Sequence, residues 1–273
     1  MPKAKVNEIN IYYKVHGQGE PLVLIQGLGG PRSGWIFQTR AFKKYYRVIT
    51  FDNRGVGKSD KPSSPYTVRT MADDTIGLLD YLGVDKAHVL GVSLGGMIAQ
   101  EIAINYPDRV NKLILGCTTA GLGDIERTEE EVRRAIGLRE DFTEADIEAL
   151  YLRSMGKIMA TITSLAFNRR LFKVVLVPGA KIYFRFGRVV KGIVGQVGAA
   201  VGHSTLDRLH QIKAPTLVIV GTEDKLVPPR SSEVLAERIP NARLVKVEGG
   251  SHSFFVEMRG RFNKEVLDFL AGS

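Results

Sequence analysis

The sequence predicts an α/β fold: a mostly parallel sheet with helices on both faces, interrupted by an inserted helical cap. Three observations carry that reading. Short runs rich in Val, Ile and Leu recur along the chain, bounded by Gly, Asp or Pro, as strands buried on both faces do. Helical stretches lie between these runs. The alternation stops near Ala120 and resumes at "APTLVIVGTED", after Leu206. These bounds give a first core part over 1–120, a cap over 121–206 and a second core part over 207–273.

In chain order, "YKVHG" ends an opening strand pair. "PLVLIQG" (21–27), "YRVITFD" (46–52), "AHVLGVS" (87–93), "VNKLILG" (110–116), "PTLVIVG" (215–221) and "ARLVKVEG" (242–249) follow as strands. "TVRTMADDTIGLLDYLG" (67–83) is helical: Met71, Ile76, Leu79 and Leu82 share a face, and Gly83 suits a C-cap. "SSEVLAERIP" (231–240) begins on Ser and stops at Pro, and "FNKEVLDFLAG" (262–272) closes the chain. Inside the insertion, "RTEEEVRRAIGL" (127–138) and "TEADIEALYLRSMGKIM" (143–159) read as charged amphipathic helices. An insertion of this length is too long for a simple loop.

The composition, 44% hydrophobic and 25% charged over 273 residues, is that of a globular chain. The single cysteine, Cys117, excludes a disulfide within the chain and permits a reducing compartment. The first residues lack the apolar core of a signal peptide, and no apolar run approaches the ~20 residues of a membrane span. A soluble, cytoplasmic protein is expected. The net charge of +9 is local: Ala149–Leu206 holds nine bases and no acid, leaving 29 bases against 29 acids elsewhere. Such asymmetry marks a partner surface on one segment.

The stretch "HVLGVSLGGM" (88–97) points to chemistry. It is G-x-S-x-G between a strand and an apolar helix, and that context strengthens a motif that is weak alone. The turn forces Ser93 into strained backbone geometry and demands small neighbours, here Gly91 and Gly95. Its hydroxyl then stands exposed beside a helix N-terminus. The bland alternative is a tight turn with an incidental serine.

A serine needs a base to become a nucleophile. Of five histidines, His252 in "VEGGSHSFF" follows the last strand, at a strand-end loop where open α/β sheets carry sites. His88 begins the strand that bears Ser93 and belongs at its opposite end. His16 reads as part of a hairpin turn. His203 and His210 flank the end of the cap, and His203 is kept as a substrate contact. A third group must fix the imidazole tautomer. Asp224 in "VIVGTEDKLVP" suits that role, with Glu223 adjacent as the other choice; both also suit a solvated turn. The order Ser, Asp, His is the order this strand–turn–helix architecture requires. Oxyanion donors are the backbone amides of Leu94 and, from "QGLGG" (26–30), of Leu28.

Two cofactor readings fail on spacing. G-x-G-x-x-G would need Gly at Arg32, and a phosphate loop ending in "GKS" would need Gly at Asp52, which leaves "DNRGVGKSD" (52–60) as a turn. No zinc or calcium spacing is present. No metal, cofactor or nucleic-acid partner is expected.

These residues resemble the α/β-hydrolase fold superfamily over nearly the whole chain outside the cap. "QGLGG" resembles its oxyanion loop, "FDNRGVGKSD" its D-x-R-G-x-G-x-S turn, "GVSLGG" its nucleophile elbow, "GTEDKLVP" its acid loop and "GGSHSFF" its histidine loop. Within it the chain is similar to small bacterial esterases and enol-lactonases, and less closely to meta-cleavage C–C hydrolases. The resemblance implies an eight-stranded, mostly parallel sheet, a Ser93–His252–Asp224 triad, and neither metal nor organic cofactor. Gln26 departs from the pattern, since many relatives carry His before the oxyanion glycine. Ser93 argues against the dehalogenase and epoxide hydrolase relatives, which use Asp there.

In such a fold the cap roofs the site and sets substrate choice. Gln26, Gly27, Trp35 and His203 are the candidate pocket residues; for Trp35 a core place is an equal reading. In "KIYFRFGRVVKGIV" (181–194), Lys181, Arg185, Arg188 and Lys191 share one helical face, beside Ile182, Phe186, Val189 and Ile193. That face suits an anionic membrane surface, an acidic substrate, or plain solvent. The expected activity is a cofactor-free serine hydrolase acting on a carboxylic ester or lactone. A C–C bond hydrolase and a non-turnover ligand-binding module stay open as alternatives.

Overall fold

The computed structural model describes residues 3–62, 65–121 and 187–272, and for 187–191 the backbone alone. Eight strands form one sheet: β1 Lys3–Val6, β2 Ile9–His16, β3 Pro21–Ile25, β4 Arg47–Phe51, β5 Ala87–Val92, β6 Val110–Gly116, β7 Thr216–Gly221 and β8 Ala242–Val247. Their order is β1-β2-β4-β3-β5-β6-β7-β8. β1 and β2 pair antiparallel, as do β2 and β4; every pairing from β4 through β8 is parallel. This is the expected mostly parallel sheet of eight strands.

The strands read as continuous apolar runs because both faces are covered. Successive side chains alternate faces. In β3, Val23 and Ile25 join Ile49, Leu78, Ile98, Leu113 and Val218 in one core. Leu22 and Leu24 join Phe42, Leu90, Ile114, Leu217, Phe254 and Phe262 in the other.

The described helices are α1 Ile36–Phe42, α2 Val68–Tyr81, α3 Leu94–Asn105, α4 Gly187–Val201, α5 Pro229–Arg238, α6 Phe254–Glu257 and α7 Arg259–Ala271. α2 begins on a reciprocal cap: Thr67 Oγ1 accepts from the Thr70 N–H at 3.1 Å, and Thr70 Oγ1 from the Thr67 N–H at 3.3 Å. Just beyond it Gly83 turns left-handed, with φ of +62°. α5 starts two residues earlier than its serines suggest, because Pro229 suits a first helical position. α7 starts at Arg259, three residues ahead of the reading. α1 and α6 span seven and four residues, too short for a legible period.

The helices expected over 127–138 and 143–159 lie outside the described residues, as do Lys181, Ile182, Arg185 and Phe186. The backbone of α4 includes Arg188, Val189 and Lys191; the helix runs to Val201, beyond the expected end at 194. Where the chain leaves and re-enters the core, its two arms meet. Gly121 bridges Ser204 antiparallel, and the Thr205 N–H donates to Ala120 O at 2.9 Å.

Candidate active site

The C-terminal ends of β3, β5, β6, β7 and β8 share one edge of the sheet, where open α/β sheets bind ligands. Ser93 leaves β5 there with φ +53° and ψ −125° and begins α3. That backbone region costs a non-glycine residue of order 1–3 kcal/mol. The turn is held from three sides. The Ser93 N–H donates to Gly116 O at 2.9 Å, and its carbonyl accepts from the Gly96 N–H at 2.8 Å and from Thr118 Oγ1 at 2.7 Å. The glycines answer to close backbone approach. A Cβ on Gly91 would overlap the Gly95 carbonyl, and one on Gly95 would overlap the Ile25 carbonyl.

Asp224 lies three residues past β7 and His252 five residues past β8. Their side chains meet, with His252 Nδ1 2.8 Å from Asp224 Oδ2. A carboxylate only accepts, so Nδ1 carries the proton and Nε2 is left as the basic nitrogen. The Asp224 side chain is fully buried, and its other oxygen accepts from the Leu226 and Val227 N–H groups, both at 2.9 Å. Three hydrogen bonds compensate its burial. Cys117, wholly buried and also left-handed at φ +40°, follows β6, the strand between those that lead to Ser93 and Asp224. Burial and the Asp224 charge push its thiol well up, against the opposing Ser93 amide, so it stays protonated.

The loop after β3 comes up beside Ser93. A Cβ on Gly27 would stand 3.1 Å from Ser93 Cβ and 3.6 Å from its Oγ. Gly27–Gly30 closes as a turn, the Gly30 N–H donating to Gly27 O at 3.1 Å with Gly29 at φ +66°. Among the described residues, the amide N–H groups of Leu28 and Leu94 have no acceptor. Gln26 is buried inside this loop. Its Oε1 accepts from the Gly27 N–H at 3.2 Å, and its amide packs on Gly30 and Gly34, where any Cβ would crowd it. It props the loop.

The other candidates separate. Trp35 is fully buried against Phe255, ring centroids 5.4 Å apart, which is the core placement. Met97, Ile98 and Phe254 are core as well. His203 does not stand beside Ser93. It lies buried against Glu101, Nδ1 3.6 Å from Oε1, and Glu101 is eight residues along α3 from Ser93, about 12 Å at helical rise. Burial pushes its pKa down to about 4, Glu101 opposing and Arg208 assisting. His88 sits at the far end of β5 and contacts Glu20 at 3.0 Å. His16 is the last residue of β2, paired with Val48, and not in a hairpin turn. His210 is exposed.

The turn after β4 does more than reverse the chain. Asp52 accepts from the Arg32 N–H at 2.7 Å, and Asn53 Nδ2 donates to Gln26 O at 3.0 Å, so this turn underpins the loop after β3. Arg54 makes a buried bidentate pair with Asp74 at 2.5 and 2.7 Å. Above them, Gln196 of α4 donates to Arg54 O at 2.9 Å and accepts from the Gly29 N–H at 2.8 Å. The one trace of Gln196 in the sequence is its isolation: a lone amide within the apolar "GIVGQVGAAV". No group of three His, Cys, Asp or Glu among the described residues could hold a metal ion. No helix among them is long and apolar enough to cross a membrane.

Comparison with known proteins places this architecture. The family model described as "alpha/beta hydrolase fold" matches residues 20–258. A protein named "Putative carbamate hydrolase RutD" from Azorhizobium caulinodans is 30% identical over 98% of both chains. The crystal structure of an enol-lactonase from Burkholderia xenovorans LB400 superposes with a TM-score of 0.82 at 30% identity, covering 99% of this chain and 100% of the other. A thermophilic esterase from Thermogutta terrifontis superposes at 0.80 with 27% identity, covering 98% and 97%. With its eight-stranded sheet, its strained serine turn and a family match across most of its length, the chain belongs to the alpha/beta hydrolase fold family.

Proposed function

We propose that this alpha/beta-fold hydrolase is a cofactor-free serine hydrolase cleaving a carboxylic ester or lactone with a small or medium apolar acyl part. The observation that carries the reading is the 2.8 Å pairing of His252 with fully buried Asp224, at the sheet edge where Ser93 stands on a strained turn. Ser93 Oγ attacks the carbonyl carbon while His252 Nε2 takes its proton. Asp224 holds the imidazole by Nδ1 and stabilises the imidazolium that forms. The Leu28 and Leu94 N–H groups receive the oxyanion. The imidazolium then protonates the departing alkoxide, and the acyl group stays on Ser93 as an ester. Water, deprotonated by His252, releases it through the same steps.

The ester or lactone class rests on this carbonyl chemistry together with the enol-lactonase and esterase likenesses. The carbamate hydrolase name of a relative fits the same machinery, since a carbamate also presents a carbonyl to attack. The 121–206 segment is proposed as the cap over this site, with the meeting of its two arms in support. Contact of Lys181, Arg185, Arg188 and Lys191 with an anionic surface is a further, separate proposal. Vesicle binding at low salt would support it, and its absence would remove it.

The test is hydrolysis of p-nitrophenyl esters from acetyl to palmitoyl by wild type, Ser93→Ala, His252→Ala and Asp224→Asn. Turnover is expected in wild type. kcat should fall by roughly 10⁴-fold or more in Ser93→Ala and His252→Ala, and by about 10⁴-fold in Asp224→Asn. A folded wild type that turns over no ester and takes up no fluorophosphonate at Ser93 would sink the reading.

A further inference from the structure

We propose that Gln196, on α4 and outside every motif of the catalytic core, is a positioning residue that sets the oxyanion loop. The inference rests on the serine hydrolase reading above. Leu28 N–H is flanked by two held amides. The Gly27 N–H before it is held by Gln26 Oε1 at 3.2 Å, and the Gly29 N–H after it by Gln196 Oε1 at 2.8 Å. Leu28 and Gly29 are the two central residues of the Gly27–Gly30 turn. The peptide between them, which carries the Leu28 carbonyl and the Gly29 N–H, is the unit that rotates when such a turn changes type. The Leu28 N–H lies on the adjoining Gly27–Leu28 peptide, joined to it at Leu28 Cα and closed by the Gly30 N–H on Gly27 O at 3.1 Å. Glycine resists that rotation least, and Gly29 already sits at φ +66°. A buried acceptor on its N–H locks one orientation.

Gln196 is itself locked. It is fully buried, and its Nε2 donates to Arg54 O at 2.9 Å. Arg54 is fixed in turn by its bidentate pair with Asp74, its guanidinium 5.0 Å from the centroid of the Tyr66 ring. One helical turn earlier, the backbone of α4 lies directly on the turn after β4. A Cβ on Gly192 would overlap the Gly55 carbonyl, and Tyr66 Oη donates to Gly192 O at 3.0 Å. Ile193 then reaches Gly29, its Cδ1 3.4 Å from where a Cβ there would stand. The oxyanion loop is thus clamped between the turn below and α4 above, and α4 is the last helix of the inserted segment. Docking of that helix and competence of the oxyanion hole become one event.

The role predicts a signature that a merely structural residue would not give. Oxyanion donors act on the charge of the transition state and hardly on the neutral ester, so their displacement lowers kcat and spares KM. The experiment measures kcat, KM and melting temperature on a p-nitrophenyl ester for wild type, Gln196→Met and Tyr66→Phe. It also measures the Ki of an alkylboronic acid, which forms a tetrahedral anion on the serine. Gln196→Met keeps length and shape and removes both hydrogen bonds. It should lower kcat by roughly 10- to 100-fold, change KM less than about threefold and raise the boronate Ki in step with kcat. Tyr66→Phe frees the helix one turn away and should move kcat and Ki the same way, by about two- to fivefold. Gln196→Met with kcat within twofold of wild type, or with its whole loss in KM, overturns the proposal. If Gln196→Met does not fold, Tyr66→Phe decides by the same criterion. A wild type without Ser93-dependent turnover fails the serine hydrolase reading itself and removes this inference with it, a result distinct from an active wild type matched by Gln196→Met.

Discussion

The turn that carries Ser93 and the loop that carries Leu28 stand side by side, held by different means. Around Ser93 the restraints are local contacts at strand ends: the Gly116 carbonyl that closes the next strand, the Thr118 hydroxyl two residues past it, and Gly95 against Ile25. Around Leu28 they are side chains from distant parts of the chain, Asn53 from the turn after β4 and Gln196 from 167 residues beyond Gly29. The first wall is part of the sheet and is made when the sheet is made. The second depends on an inserted segment coming down onto the core. The Ser93 turn is thus independent of α4, and the Leu28 loop is not.

The contrast can be broken from either side. The largest effect on stability should come from Asp74→Ala. It leaves Arg54 charged and buried without its partner, which costs roughly 3–5 kcal/mol. Urea unfolding should show that loss, and the surviving folded enzyme should lose kcat through the Leu28 wall. Equal stability in Asp74→Ala and wild type would show that this wall needs no such anchor. Next comes Gly95→Ala, whose methyl group would enter the Ile25 carbonyl. We expect a loss of about 1–3 kcal/mol and slower fluorophosphonate uptake at Ser93. A neutral Gly95→Ala would mean the serine turn is looser than its packing.

The smallest effect is graded by pH. His203 follows α4, its N–H donating to Ala200 O at 3.3 Å, where the inserted segment rejoins the core. Its pKa is lowered from 6.5 to about 4 in the fold. The unfolded chain therefore binds the proton first. Stability should fall as pH drops from about 6.5 towards about 4, by up to about 1.4 kcal/mol per unit, and the effect should level off below that window. His203→Gln should flatten this part of the curve in urea titrations at several pH values. An unchanged slope would show that other groups govern acid sensitivity.

Much of this was legible in the chain. The strands announced themselves because both sheet faces are buried, so their runs are apolar throughout. Ser93, Asp224 and His252 were legible because each lies one short turn from a strand end, and the order of strands fixes where such turns point. Local signals failed for residues whose role depends on what comes to meet them. His203 flanks the end of the insertion, a position that suggests a substrate contact; the fold buries it against Glu101 of α3. "DNRGVGKSD" reads as a plain turn, yet Asp52, Asn53 and Arg54 hold up the loop beside it. Only its packing against Gly30 and Gly34 shows that Gln26 props the loop.

By itself, then, the sequence determined the layered sheet, the family and the three residues proposed for catalysis. Apolar runs and turn chemistry act over a few residues, and a few residues are enough to record them. Only the tertiary structure decided that His252 meets Asp224, that Arg54 is neutralised by Asp74, and that Gln196 closes on Gly29. Those pairs lie 28, 20 and 167 residues apart. Their geometry arises from the order and parallel register of the strands and from where the inserted segment returns, which no local pattern encodes.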